Sequence, residues 1–410
     1  MNFQRKLWWA QHRTDVYKYG TILSLVLIVT ISIIYFTYSK FTSTNEATAY
    51  ETTVEPFIKN DYFIASYVDG VWSDTIPGKN DGYVVDKVVC DNGATATWDY
   101  SEWGINIRNA TKKIKCSVYF IVKPLSVTEK ITTLATTDTT NFATDDPNNN
   151  IRYIGANPNN YVYFNCSDYS NQSDSTCEKW RIIGVFKNMT KEDGSKEDLV
   201  KIIRNDFIEN IAWDNNGVND WSAATLQTIL NGEYYNGTYA TGAFKNDITR
   251  SAVESVVWNL GGTATYNSSS NGLASHWYGY ERGTTVYGGH ATTWTGKIAL
   301  MYPSDYGYAT AGGTATNRDA CLSKEINWDG SDVSDCKNND YLFNSSYYQW
   351  TLAPNSSSSN IAFFLDSHGL ADYVTVRVSN AARPVVYLKS NISISDGDGS
   401  ISSPYQLNLQ

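Results

Sequence analysis

The sequence predicts an α+β protein in which two β-rich units follow a single membrane-crossing helix. The stretch Tyr19–Tyr38 (YGTILSLVLIVTISIIYFTY) holds no charge over its twenty residues. At about 1.5 Å per residue, a helix of that length spans the roughly 30 Å hydrocarbon core of a bilayer. The aromatic content, 30 Tyr, 13 Trp and 14 Phe, stands beside abundant Gly, Ser, Thr and Asn, a composition that favours strands over helices. Six cysteines fall into pairs of sequence neighbours: Cys90 with Cys116, Cys166 with Cys177, and Cys321 with Cys336. In an exported chain such pairs suit disulfides; several connectivities are open to six cysteines, and loop length favours the nearest-neighbour one.

Arg5, Lys6, Arg13 and Lys18 precede the apolar run against one acid, Asp15, whereas Glu46, Glu51 and Glu55 follow it with Lys40. The excess of basic residues in the short N-terminal end places residues 1–18 on the cytoplasmic side and everything beyond 38 outside. Tyr17, Tyr19, Tyr35 and Tyr38 suit the headgroup level at the two ends of the span. A cleaved signal peptide is the rival, because Ala47-Thr48-Ala49 is an acceptable cleavage triplet; the apolar run is longer than a signal peptide's core and ends well before that triplet, so a retained anchor over 19–38 is favoured. A prepilin reading, with cleavage at Gly20, is weaker, since Leu25 stands where pilins carry a glutamate. The net charge of −10 repels phosphate backbones, and no basic stripe is present, which argues against a nucleic-acid partner.

Residues 39–54 are small, polar and aperiodic, as in a stalk. From Phe57 to Pro124 short runs alternate apolar and polar residues, as in Ile114-Lys-Cys-Ser-Val-Tyr-Phe-Ile-Val122, with turn signals at Asp69-Gly70, Pro77-Gly78, Asp81-Gly82 and Asn92-Gly93. Period-two alternation marks half-buried strands. The expectation for residues 55–124 is a small antiparallel β-sandwich clamped by Cys90–Cys116, with Trp98 and Trp103 between the two cysteines in sequence, and a spacer's role. Residues 125–150, rich in Thr, Asp and Asn, are expected to form a linker, with Asp145 and Asp146 solvated.

Residues 151–410 carry the remaining signals. Strands are expected at Tyr161–Phe164, Lys179–Phe186, Leu199–Arg204, Gln349–Leu352, Ile361–Leu365, Tyr373–Val378 and Arg383–Leu388, with a last hairpin over 392–401. Two helices are expected, one over Ser222–Leu230 with Ser222 as N-cap, the other over Asp247–Trp258 with a stop at Gly261-Gly262. Between them and the later strands lies a long Gly-, Ser-, Thr- and Tyr-rich loop region.

Several phrases in this part, Trp180-Arg-Ile-Ile-Gly184, Trp221 leading to Leu230-Asn231, Trp350-Thr-Leu-Ala-Pro354 and Ala382-Arg-Pro-Val-Val-Tyr-Leu-Lys389, resemble an uncharacterised family of Firmicutes surface domains. The order of elements is similar to that of C-type-lectin-like domains and their formylglycine-generating-enzyme relatives, and the module at 57–124 resembles a cysteine-clamped β-module of exported proteins from the same bacteria. The resemblance implies a C-type-lectin-like distal domain and a bacterial surface protein. It does not extend to the chemistry of those folds. Ala353-Pro354-Asn355 and Trp258-Asn259-Leu260 each lack an acid of the lectin calcium–sugar site, and no cysteine follows Cys336 to serve formylglycine generation.

No nucleophile elbow, metal-binding histidine pair or triad stands out around His276, His290 and His368, so neither an enzymatic activity nor a cofactor is expected. Asp396-Gly397-Asp398 lacks the closing glutamate of a calcium loop. Asp214, Asn216 and Asp220 space oxygens at a better interval for a cation, although a loop feeding the cap of the following helix is the favoured explanation. The aromatic set Trp277, Tyr278, Tyr280, Tyr287 and Trp294, with Glu281, Arg282 and His290 nearby, combines rings that stack on sugars with groups that bond hydroxyls. Trp277, Tyr278, Tyr280, Glu281 and Trp294 are therefore the candidate ligand residues, expected on a loop outside the scaffold, although packing in the core is the favoured role for the aromatic set. Together these readings point to a membrane-anchored recognition protein or adhesin with a glycan or protein ligand; a structural envelope component is the alternative.

Overall fold

The computed structural model describes residues 12–15, 17–31, 62–109 and 113–409. Among them one helix, His12–Ile31, is long and apolar enough to cross a membrane. The end of the expected anchor, residues 32–38, and the whole stalk at 39–54 lie outside the described residues. The architecture beyond is α+β, rich in sheet with short helices, and divides into two units, Met1–Lys123 and Pro124–Gln410.

In the first unit the alternation of Ile114–Val122 is realised directly: Ile114, Cys116, Val118 and Phe120 are buried on one face of that strand. It sits inside a four-stranded sheet, between Tyr62–Val68 and Tyr83–Cys90, with Val71–Ser73 at the far edge. Cys90 and Cys116 face each other in register and are bonded. The hairpin of Thr95–Asp99 and Gly104–Arg108 supplies Trp98, whose ring meets Trp103 at 5.4 Å and Phe120 at 5.3 Å, both edge to face. One expectation is corrected. Tyr62–Val68 runs parallel to Ile114–Val122, so the sheet is mixed, not antiparallel. Alternation reports which face a residue takes and is the same for both strand directions; the long connection between these two strands is what permits parallel pairing.

The second unit begins with a helix where a linker was expected. Val127–Ala135 is capped by a reciprocal box in which the Glu129 amide donates to Ser126 Oγ (3.1 Å) and the Ser126 amide to Glu129 Oε2 (2.8 Å). It buries Val127 and Ile131, one turn apart. The signal was present as Ser126-x-x-Glu129, but the surrounding threonines masked it. The larger sheet orders its strands Val253–Glu254, Val385–Leu388, Lys196–Arg204, Glu178–Thr190, Ile151–Tyr153 and Phe142–Ala143. A second, five-stranded sheet runs Asn210–Ala212, Ser379–Ala381, Gln349–Pro354, Ile361–Leu365 and Ala371–Thr375. The remaining disulfides are Cys166–Cys177 and Cys321–Cys336.

The helices depart from expectation. Asp220, not Ser222, caps a 3₁₀ turn at Trp221–Ala223, and the α-helix that follows is Thr225–Ile229, continued by a π-helical turn over Leu230–Tyr234. The second helix stops at Ser251, because Val253, Val256 and Val257 enter strands, where β-branched side chains are better accommodated. The count of two was too low; Ala274–Glu281 is one of several further short helices. The closing strand Ser393–Asp396 pairs with Gln406–Asn408, beyond the expected hairpin.

The segment 261–312, expected to loop outside the scaffold, instead sends part of its length through the core, with Trp277, Leu300 and Tyr306 fully buried. Its glycines work by close approach. A Cβ on Gly262 would lie 1.9 Å from the Pro354 carbonyl oxygen, and one on Gly261 would lie 2.2 Å from that of Tyr280.

Candidate functional site

One row of the larger sheet brings the site together. Arg152 pairs with Gly184, Gly184 with Lys201, and Lys201 with Tyr387, across four adjacent strands. Residues directly opposite share a face, and Gly184 lies between the two buried cations in that row, packed against the Ile151 backbone. The carboxylate of Asp305 joins the two cations. Arg152 Nη1 bonds Asp305 Oδ1 at 3.1 Å, and Lys201 Nζ bonds Oδ2. The same Oδ2 accepts the Tyr302 amide at 2.9 Å, which holds Asp305 at the start of the short helix Pro303–Gly307. Arg152 Nε also reaches Asp146 at 2.6 Å, so the aspartate expected to be solvated is buried in the network; its neighbour Asp145 pairs with Arg318 at 2.7 Å on the surface side.

Glu281, the last residue of Ala274–Glu281, closes the cluster. It is fully buried, accepts the Ser304 amide at 2.8 Å and the Ser304 hydroxyl, and pairs with Arg282 at 3.1 Å. Burial pushes the Glu281 carboxyl up to about 7, against the opposing pull of Arg282. Burial also raises Asp305, yet Lys201 and Arg152 outweigh it and hold that carboxyl below its ordinary value. For Lys201 burial is the larger influence and lowers the ammonium to about 8. We take the pair as ionised at neutral pH, because one carboxylate collects two cations and a backbone amide.

Above this cluster lies a cleft of 170 Å³. Phe186, Trp258, Tyr302 and Tyr387 contribute to its wall, and the same four rings surround the Lys201 ammonium at 4.6 to 5.7 Å from their centroids. The wall between cleft and ion cluster is thus one ring thick. Tyr278 and Arg282 line another side, the guanidinium lying 3.3 Å from the Tyr278 ring centre. Asn150 anchors the Tyr278 hydroxyl at 3.0 Å and Asp146 at 2.9 Å, which makes that edge rigid. By contrast, the side-chain amides of Asn148, Asn188 and Asn259, which also line the cleft, make no hydrogen bond among the described residues.

The five candidate ligand residues do not converge. Tyr278 alone lines the cleft. Glu281 lies buried, bonded to Ser304, and Trp277 packs against Phe363 at 4.7 Å in the core, so core packing claims both. Tyr280 is half-buried and its hydroxyl donates to the Asn271 carbonyl at 3.0 Å. Trp294 is half-buried opposite Trp258 in the pair of strands Val256–Asn259 and Thr293–Gly296. Their common helix and hairpin turn these side chains in different directions, which spacing in a Gly-rich stretch does not reveal.

Of the residues noted for a cation, Asp214 is buried with both oxygens occupied, accepting the Thr225 amide at 3.0 Å and the Val218 amide at 2.9 Å, while Asp220 caps the 3₁₀ turn. Asn216 only approaches Asp214. Among the described residues no group of His, Cys, Asp or Glu is arranged to hold a metal ion. Lys201 was the missed signal: a lone charge inside Leu199-Val-Lys-Ile-Ile203 marks a buried ion that must find a partner. No family model, curated protein or solved structure matches the chain.

Proposed function

We propose that this chain is a membrane-anchored bacterial cell-surface recognition protein whose second unit, a C-type-lectin-like domain, binds a glycan in the cleft beside Tyr278. The observation that carries the reading is a cleft with an aromatic wall and unoccupied amides: the largely buried Tyr278 and Trp258 line it, and Asn148, Asn188 and Asn259 offer donors and acceptors to sugar hydroxyls. The ion cluster behind the rings holds the wall in place before a ligand arrives, which lowers the cost of binding. The apolar helix His12–Ile31 and the three disulfides support an anchored, exported chain with the basic N-terminal end inside.

The test is glycan-array profiling of the full-length chain in detergent micelles, beside a variant with Asn148→Ala and Asn259→Ala. Neither amide is bonded within the protein, so the variant should keep its melting temperature and lose at least fivefold in affinity. Absence of any glycan signal sinks the reading and favours a structural envelope component.

A further inference from the structure

The cleft is one-sided in charge. Among the described residues, two cationic ones, Arg282 and Lys187, line it and no aspartate or glutamate does, in a chain whose net charge is −10. Arg282 donates to its own protein only through Nη1, to the Tyr278 carbonyl at 3.3 Å and to Glu281 at 3.1 Å. Its Nε and Nη2, the edge that grips a carboxylate with two parallel hydrogen bonds, have no partner among the described residues. The Lys187 ammonium has none either; only its backbone amide is bonded, to Asn150 Oδ1 at 2.8 Å. Behind the ring wall stand Lys201 and Arg152, and the Nη2 of Arg152, itself fully buried, is also without a partner. Lys201 and Arg152 are matched there by Asp305 and Asp146, so it is Arg282 and Lys187 at the lining that make the cleft a place where a negative group gains and a positive one loses.

Size restricts the ligand further. At 170 Å³ the cleft is smaller than the roughly 300–1,000 Å³ of a drug-sized site, so it takes one ring at the end of a chain, not a stretch of polymer.

We propose, resting on the glycan reading above, that the Tyr278 cleft takes the terminal sugar of a carboxylated glycan, a hexuronic acid end group, with its carboxylate on the Nε–Nη2 edge of Arg282 beside Lys187 and its hydroxyls on the free asparagine amides. Selectivity for the acid over the neutral sugar comes from Arg282, while Asn148, Asn188 and Asn259 serve any sugar.

The experiment measures binding of the full-length chain in micelles to oligosaccharides ending in glucuronic or galacturonic acid and to the same oligosaccharides ending in glucose or galactose. A uronic end should bind at least tenfold tighter than its neutral counterpart. Arg282→Lys keeps the charge near Glu281 but loses the planar fork, so it should cost the uronic probes at least tenfold and leave the neutral ones nearly unchanged. Should that variant melt early, Lys187→Gln replaces it, with a loss of at least threefold for the uronic probes alone. Equal binding of acid and neutral probes, both weakened by Asn148→Ala with Asn259→Ala, overturns the carboxylate assignment and leaves the glycan reading standing. Uronic binding unchanged in both the Arg282→Lys and the Lys187→Gln variants overturns it as well. Failure of all four probes, together with an array showing no other glycan, overturns both readings.

Discussion

Arg152 and Lys201 hold the two oxygens of a single carboxylate, Asp305, from opposite sides of a glycine in the same row of the sheet. The carboxylate comes from 153 residues away along the chain from Arg152. Two cations in one sheet face repel each other unless an anion lies between them, so Asp305 sets where the helix Pro303–Gly307 docks and, through it, where the Tyr302 ring of the cleft sits.

Removing one member of this cluster leaves a buried charge short of a partner. Asp305→Asn leaves Lys201 without a carboxylate and Arg152 with Asp146 alone, and is expected to destabilise the second unit by about 3–5 kcal/mol, the cost typical of breaking a buried ion pair from one side. Lys201→Met keeps the length of the side chain and leaves Arg152 to pair Asp305, so its loss should be smaller. Denaturant unfolding of the two variants checks the order; equal, small effects would show that the cluster contributes little.

Gly184 is the other element of the row. A Cβ there would stand 2.0 Å from the Ile151 carbonyl oxygen, which no side-chain adjustment relieves, since the obstacle is backbone. Gly184→Ala should therefore cost about 1–3 kcal/mol or more as the ladder to Ile151–Tyr153 is forced apart, visible as a lowered melting temperature and faster amide exchange on that strand.

Glu281 predicts a pH dependence of opposite sign to that of ordinary paired carboxylates. Burial raises it to about 7 in the folded chain, so the fold retains a proton that the unfolded chain releases at lower pH. Its contribution is fully present below the unfolded value and is lost as pH rises toward and through about 7. Glu281→Gln fixes the neutral form. The stability of the natural chain relative to this variant should fall between pH 5 and pH 8, and a difference that stays constant over that range contradicts the assignment.

The disulfides offer a test by position. Cys321–Cys336 closes a loop of 15 residues, for which a bridge stabilises by about 3 kcal/mol. Replacing both cysteines by alanine should lower the melting temperature of the second unit and leave that of the first unchanged, while Cys90–Cys116 replacement should do the reverse. Calorimetry that resolves two transitions reads both outcomes.

What the sequence determined by itself was local. Period-two alternation placed Ile114–Val122 as a strand, because facing is set by the pleat; short apolar runs placed strands at Leu199–Arg204, which extends back to Lys196, and at Ile361–Leu365, and short separations along the chain marked all three disulfides. The Ser126 capping box was equally local, though outnumbered by linker-like threonines. Tertiary structure decided the rest. Strand direction in the first unit, the burial of Trp277 and Asp146, and the union of Arg152, Lys201, Glu281 and Asp305 depend on segments up to 153 residues apart. A side chain's own sequence neighbours carry no record of which distant charge or ring will meet it; that is fixed only when burial removes water and each charge must be matched by whatever the fold brings alongside.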